Sequence, residues 1–196
     1  MDNTVGSLTK IERSVVIGSL LGDGYLRIIP GRKDAFLEIN HSIKAAKYVD
    51  EKYRLLKRLC TSPPKERVSG SDGRSAYRFF TNQVSELTAL HARFYKNGKK
   101  VIPADLSLDP LVMAIWYMDD GSKCRPSDIY LNTQQFSLLD QQRLIHKLRE
   151  VGVRARLNKD KHYHRIRILK ESVPHFMKMI EPFVDPSMRY KLVMTL

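Results

Sequence analysis

Two apolar stretches, VVIGSLLGDGYL at residues 15–26 and VMAIWYMDDGSK at 112–123, each run into an Asp-Gly pair, and they stand about half the chain apart. The strand-like segments after them are also alike. FLEINHS (36–42) and IYLNTQ (129–134) alternate apolar and polar positions, the period of a half-buried strand. Leu37 and Ile39 are expected to face inward with Glu38 and Asn40 outward, and Ile129 and Leu131 inward with Tyr130 and Asn132 outward. An amphipathic helix comes next in each half. KAAKYVDEKYRLLKRLC brings Tyr48, Leu55, Leu56 and Leu59 to one face, and SLLDQQRLIHKLREVG does the same with Leu138, Leu144, Ile145 and Leu148, with Gly152 as its stop. In VRARLNKDKHYHRIRILK, Val153, Ala155 and Leu157 alternate with Arg154, Arg156 and Asn158. Past a turn near Lys159 to Lys161, Ile166 and Ile168 alternate with Arg165 and Arg167. A closing helix is expected at about 83–95 and again at 171–183. Each half thus reads helix, two strands, helix, two strands, helix. The chain is expected to be α+β and internally duplicated: a first half over 1–95, a turn-rich linker over 96–107, and a second half over 108–196.

Composition narrows the function. Lys and Arg outnumber Asp and Glu by 34 to 21 in 196 residues, an excess that points to a polyanionic partner, nucleic acid being the commonest. No window approaches the length of uncharged apolar sequence that spans a bilayer, so no membrane partner is expected. The N-terminus lacks the basic start and apolar run of a signal peptide. Two cysteines, Cys60 and Cys124, are too few for a disulfide framework or a cysteine zinc site. An intracellular location is expected, either a bacterial cytoplasm or an organelle matrix.

The Asp-Gly ends carry the chemistry. Gly18 and Gly22 lie four apart, on one helical face, where small residues let another helix come close. If the two repeat helices pack together, Asp23 and Asp120 meet, and two carboxylates held close repel unless a cation lies between them. Oxygen ligands of this kind suit Mg²⁺. Either aspartate alone reads as an ordinary turn residue before glycine, but the macrodipole disfavours an acid at a helix C-terminus, and here it occurs twice at matching positions. The second feature is the basic strand pair, in which Arg154, Arg156, Asn158, Arg165 and Arg167 share a face. Such a ribbon fits the DNA major groove, where Arg reads guanine and Asn reads adenine. A solvated sheet face is the plainer explanation, but over 154–170 the sequence sets Arg154, Arg156, Lys159, Lys161, Arg165, Arg167 and Lys170 against Asp160 alone. In the first half Tyr25, Arg27, Glu38, Asn40, Arg74 and Arg78 are the corresponding candidates, with Lys65 and Arg67 as phosphate contacts. Trp116 is expected in the core, and the His162/His164 pair is expected to hold no metal.

The chain resembles single-chain LAGLIDADG homing endonucleases. With Val16 to Gly24 and Met113 to Gly121 laid on the nine-residue motif, Asp23 and Asp120 take its eighth, acidic position, and Asp119 precedes the latter. The likeness is nearest to the intron-encoded type whose second motif reads WFMDDG, and SPPKERV, GKKVIP, YLNTQ and MRYKL match that type in the same order. It departs at Leu21 and Met118, where the name motif has Asp, and at Ile115, where a small residue is usual. The resemblance implies a pseudo-twofold fold of two αββαββα halves whose antiparallel sheets form a saddle on double-stranded DNA. It implies metal at Asp23 and Asp120 with Gly22 and Asp119 beside them, and lysines at the metals, one per half: Lys191, and Lys100 or its neighbour Lys99. The implied reaction is a Mg²⁺-dependent double-strand break with 3′ overhangs. Mn²⁺ is expected to substitute, and Ca²⁺ to bind without supporting cleavage. Because the outward residues of the two halves differ, a monomer reading a long, non-palindromic site is expected, on the order of fifteen base pairs from strand length. Two other functions fit the same fold: an RNA-binding intron maturase and a non-cleaving DNA-binding regulator.

Overall fold

A computed structural model describes residues 7–69, 74–125 and 128–192. The chain divides between Ala92 and Arg93 into two compact units. The first contains α1 (Lys10–Leu21), β1 (Tyr25–Ile28), β2 (Ala35–Ser42), α2 (Ala46–Leu56), β3 (Lys65–Ser69), β4 (Arg74–Phe80) and most of α3 (Ser85–Phe94). The second opens with a short hairpin, β5 (Tyr95–Lys96) and β6 (Lys99–Lys100). It continues through α4 (Pro110–Asp120), β7 (Gly121–Arg125), β8 (Asp128–Leu131), α5 (Leu138–Glu150), β9 (Ala155–Asp160), β10 (Tyr163–Ile168) and α6 (Val173–Ile180). The four-stranded sheets have the orders β1-β2-β4-β3 and β7-β8-β10-β9, with every pairing antiparallel. This is the duplicated αββαββα order expected from the sequence.

Local chemistry sets the helix ends. Thr9 caps α1 in a capping box: its hydroxyl accepts from the Glu12 N–H at 3.2 Å, and the Glu12 carboxylate accepts from the Thr9 N–H at 2.8 Å. Asp109 caps α4 with Pro110 in its first turn, and Ser137 caps α5. Beyond α5, Gly152 takes φ +78°, the left-handed stop that glycine tolerates best.

In the first unit Leu26, Leu37, Ile39 and Phe79 line the inner sheet face, and Tyr48, Val49 and Leu56 of α2 are buried with them. In the second, Ile129, Leu131, Ile166 and Ile168 do the same with Leu144 and Leu148 of α5. Helix α4 is buried along its length from Val112 to Met118, Trp116 included. The strand alternation is therefore as expected on the central strands, but some helix-face and sheet-face assignments are not, and Ile145 of α5 is only half-buried. Leu138 is 51% exposed, because it occupies the first turn of α5 and its place on the inner side is taken by Asp140 and Gln141. Leu55 is only half-buried, whereas Lys52 is wholly buried with its ammonium 4.8 Å from the centre of the Tyr48 ring. Tyr130 is buried although it lies on the outward face, because arginines cover it.

The segment expected as a linker is ordered and belongs to the second unit. Asn97 and Gly98 both take positive φ, 51° and 72°, as a two-residue hairpin turn requires. The Ile102 N–H donates to the buried Asp140 carboxylate at 3.1 Å, and Arg93 pairs with Asp105 at 2.7 Å.

Part of the fold's stability at acid pH depends on the ionised Glu12 carboxylate. Burial raises its pKa, but hydrogen bonds from Arg58 and from the Thr9 N–H outweigh this and hold it below the ordinary value. A depressed carboxyl pKa stabilises the fold above the unfolded value and loses that contribution as pH falls through the folded one. Glu12→Gln should therefore cost about 1–3 kcal/mol at neutral pH. It should also flatten the stability loss on acidification below about pH 4.5. Urea unfolding of both proteins at several pH values checks this.

Candidate functional site

In each unit the apolar motif helix ends in a turn too tight for a side chain after the aspartate. Helix α1 closes at Gly22, whose N–H donates to the Gly18 and Ser19 carbonyls at 3.2 and 3.1 Å, and the Gly24 N–H returns to Ser19 at 2.7 Å. A Cβ on Gly24 would stand 2.9 Å from the Ser19 carbonyl oxygen, and a Cβ on Gly121 would stand 2.3 Å from that of Tyr117. The chain passes directly from helix into β1 or β7, leaving the preceding carboxylate at the helix C-terminus. Asp23 lies two residues past α1, whereas Asp120 is the last residue of α4. The Asp23 side chain is 49% exposed, with His41 Nδ1 3.5 Å from its Oδ2. Asp120 is half-buried; its carboxylate accepts from Gln135 Nε2 at 3.3 Å, and its carbonyl accepts from the Asn132 N–H at 2.9 Å.

The expected lysines are ordered. Lys191 lies in a 3₁₀ turn, Pro186–Lys191, and its ammonium donates to the Met118 and Asp119 carbonyls at 2.6 and 3.4 Å. It thereby caps α4 beside Asp120, where a cation complements the macrodipole. The Tyr117 hydroxyl donates to the Lys191 carbonyl at 2.7 Å, and the Lys123 ammonium donates to that of Leu192 at 3.3 Å, which fastens the segment. Lys100 is half-buried on β6, with Lys99 exposed beside it; Lys100 and Lys191 were expected one in each half, but both fall within the second compact unit, because the chain divides before the β5–β6 hairpin.

The first unit gathers its candidates on one sheet face. The register sets Tyr25 opposite Glu38, and Asn40 opposite Arg78, which is opposite Lys65 in turn. Arg67 is two residues along that face. Arg74 begins β4 opposite Ser69, and its side chain lies outside the described residues. Glu38, expected as a base reader, sits between two arginines, 3.0 Å from Arg27 and 4.0 Å from Arg78, while Arg78 also packs 5.1 Å from the Phe80 ring centre. Asp23, Tyr25, Arg27, Glu38 and Asn40 line one open groove of about 400 Å³, so acidic and sheet-face candidates are continuous here. Lys65, Arg67 and Arg78 line a second hollow of about 580 Å³ with Thr61, Phe80 and Asn82.

In the second unit the register aligns Arg156, Arg167, Tyr130 and Ser122 in one row across the sheet, and pairs Asn158 with Arg165. The run that looked almost purely basic in sequence is partly neutralised by acids from other segments. Arg167 pairs closely with Asp128, and Arg154 with Glu171 at 3.2 Å. Arg165 lies 3.6 Å from Asp160 and stacks 4.0 Å above the Tyr130 ring. Arg156 is exposed, and Asn158 and Asn132 are half-buried. Sequence reasoning missed His41 and Gln135. His41 lies near the end of β2 and Gln135 in the turn beyond β8; the repeat does not align them, and only the fold brings each to its aspartate.

Among the described residues no group of three or more His, Cys, Asp and Glu side chains forms a metal cluster, and no helix is long and apolar enough to cross a membrane. The carboxylates at Asp23 and Asp120 still suit Mg²⁺. That ion takes one or two carboxylates and keeps its remaining sites for water and phosphate oxygens.

Two units of the same αββαββα order, each with an Asp-Gly motif helix and a polar, arginine-rich sheet face, define a pseudo-symmetric LAGLIDADG fold. Residues 13–176 match the LAGLIDADG DNA endonuclease family, and the chain belongs to that family. It is 32% identical to the cytochrome b mRNA maturase bI2 of Debaryomyces hansenii, over 94% of this chain and 74% of that protein. It is 30% identical to the Saccharomyces cerevisiae protein of the same name, over 98% of this chain and 49% of that longer protein. Among solved structures, the homing endonuclease I-WcaI bound to its DNA recognition sequence superposes with a TM-score of 0.88 at 27% identity, covering 97% of this chain and 89% of that one.

Gly121→Ala should destabilise the second unit by about 1–3 kcal/mol, because the added methyl meets backbone. Gly24→Ala should cost less, since its nearest contact includes the small Ser19 side chain. Thermal unfolding of the two variants checks the order.

Proposed function

We propose that the chain is a site-specific homing endonuclease that binds a long, non-palindromic stretch of double-stranded DNA as a monomer and breaks both strands in a Mg²⁺-dependent reaction, leaving 3′ overhangs. The observation that carries this reading is the acidic motif end retained in both units, each continuous in sequence with a strand of an arginine-bearing sheet. The likeness to DNA-bound I-WcaI supports it.

In this reading Asp23 and Asp120 each supply a carboxylate oxygen to Mg²⁺, with carbonyls near Gly22 and Asp119 available beside them. An ion held there would supply a polarised water and charge stabilisation at the departing oxygen. Lys191, at the carbonyls next to Asp120, and Lys100 offset phosphate charge. The sheet faces hold the duplex: Arg67, Lys65, Arg154 and Arg156 at phosphates, and Tyr25, Arg27, Asn40, Arg78, Asn132, Asn158, Arg165 and Arg167 at the bases or their flanks, with Tyr130 packed beneath Arg165. Glu38 orients Arg27 and Arg78 for that contact. Mn²⁺ substitutes for Mg²⁺, and Ca²⁺ supports binding but not cutting.

A second reading has a specific observation in its favour, since the D. hansenii and S. cerevisiae relatives are named mRNA maturases. The chain would then assist splicing of an intron RNA, with or without DNA cleavage.

Selection of cleaved sites from a randomised duplex pool in Mg²⁺ tests the endonuclease reading. Recovery of one long asymmetric site is the expected result, and no cleavage together with binding of intron RNA would favour the maturase. On the selected site, Asp23→Asn and Asp120→Asn should each abolish double-strand breaks while leaving DNA affinity within about tenfold. Full cutting by either would remove that aspartate from the active site.

Arg156→Ala should lower the slope of log affinity against log salt by about one, as expected for loss of one phosphate contact. An unchanged slope with relaxed preference at one or two positions would assign Arg156 to bases instead. Binding isotherms at several salt concentrations separate these outcomes.

A further inference from the structure

Two phenylalanines stand on the outer, polar face of the first unit's sheet, among its charged side chains. Phe80 is 39% exposed, and Phe36 beside it is half-buried. The pairing sets Phe36 opposite Arg27 and Phe80 opposite Glu38. Both rings therefore share the side of Arg27, Glu38 and Arg78, while Leu37 and Phe79, next to them in sequence, turn into the core. The rings meet edge to face with centres 5.9 Å apart, and the Arg78 guanidinium lies 5.1 Å from the centre of the Phe80 ring. Phe36 on one side and Arg78 on another hold the Phe80 ring, which sets an apolar edge beside a cation. Phe80 and Arg78 also line the hollow of about 580 Å³, and Lys65 and Arg67 in its wall suit a polyanion. An apolar edge in such a setting has one complement among the base edges of duplex DNA. In the major groove only thymine presents a methyl group, and phenylalanine is among the side chains that meet it. RNA carries uracil in place of thymine and lacks that methyl, and its A-form major groove is too deep and narrow for a side chain to read.

We propose that Phe80, backed by Phe36, is a specificity-determining residue that reads the 5-methyl group of one thymine in the half-site held by the first unit. Phe80 lies two residues along β4 from Arg78, on the side away from Ala76 and its partner Arg67. Two strand residues span roughly 7 Å, and successive base pairs rise about 3.4 Å, so the thymine stands about two base pairs from the contact made by Arg78. This rests on the DNA-binding part of the endonuclease reading, and the contact would not serve a maturase acting on RNA.

The probe is a set of duplexes built on a site that the full chain selects by binding from a randomised pool. Each thymine is replaced in turn by deoxyuridine, which removes one methyl group and leaves every hydrogen-bonding group of the base in place. Affinities are measured without divalent metal, so that no strand is cut. At one position wild type should lose about fourfold, the worth of one buried methyl group. Phe80→Ala should bind the thymine and deoxyuridine duplexes equally at that position. Its losses at every other thymine, and its slope of log affinity against log salt, should match wild type, whereas a merely structural defect would shift them all. Should Phe80→Ala fail to fold, Phe80→Gln keeps a long side chain without the apolar edge and carries the same expectation. A natively folded Phe80→Ala or Phe80→Gln protein that keeps every wild-type loss would overturn the proposal. So would a selected site with no position sensitive to deoxyuridine. Selection that yields no duplex at all would overturn the DNA-binding reading, whereas the deoxyuridine series judges the Phe80 contact alone.

Discussion

The rest of the structure depends on a steric constraint at the end of each motif helix. The backbone must leave an apolar helix and enter a sheet within two or three residues. At that reversal the Gly24 and Gly121 Cα atoms come so close to the Ser19 and Tyr117 carbonyls that any Cβ would collide. The reversal leaves an acidic residue at the negative end of a helix, where the macrodipole works against it. A fold selected for stability alone would place a lysine or an amide there. Keeping the carboxylate requires compensation, and both units provide it: an imidazole at Asp23, and an amide together with the Lys191 ammonium at α4.

The same logic extends over the sheet faces. Arginines crowded on one side of four strands repel one another, and the fold offsets this locally. Glu38 serves Arg27 and Arg78 in the first unit, and Asp128, Glu171 and Asp160 serve three arginines in the second. Tyr130 adds an aromatic face beneath Arg165. These pairs lie at the sheet surface, and where one is exposed on both sides, as Arg154–Glu171 is, it contributes on the order of 1 kcal/mol or less. They are weak enough for an incoming polyanion to compete for the guanidinium, yet they hold the side chain extended beforehand. The acids thus act as orienting groups for the cations, which explains why so basic a chain carries them on its most basic surface.

The alternation of FLEINHS and IYLNTQ was enough to assign inside and outside on the central strands, because a buried sheet face admits only one register. The Asp-Gly repeat was enough to find both carboxylates. Other features were set by neighbours distant in sequence. Periodicity places Leu138 on the apolar face of α5, but it cannot show that Asp140 and Gln141 fill the inner side of the first turn, with Asp140 receiving the Ile102 N–H. Nor can it show that Lys52 passes over Tyr48, since a lysine reads as solvent-facing until its stem is seen buried. The arginine partners Asp128 and Glu171 lie outside the basic run and join it only through strand pairing and the approach of the chain to α6. The hairpin at the start of the second unit was expected only as a turn-rich linker, although its signature is in the sequence. Tyr-Lys-Asn-Gly-Lys-Lys carries the Asn-Gly signature of a two-residue turn, and that turn is present.

Duplication fixes the architecture but not the equality of its halves. The two units share element order, strand order and the placement of an aspartate before glycine, because these arise from backbone geometry that both copies must satisfy. Side chains around that geometry have diverged: Asn40 matches Asn132, but Glu38 stands where the other half has Tyr130, and His41 where it has Thr133. Divergence of outward residues allows a single chain to present two different surfaces to a polymer, which a homodimer cannot do. The same divergence reaches the carboxylates themselves: Asp23 meets His41 on β2, whereas Asp120 meets Gln135 in the turn beyond β8. Surface specialisation and inequality of the two acidic centres therefore share one origin, the divergence of side chains on a common backbone.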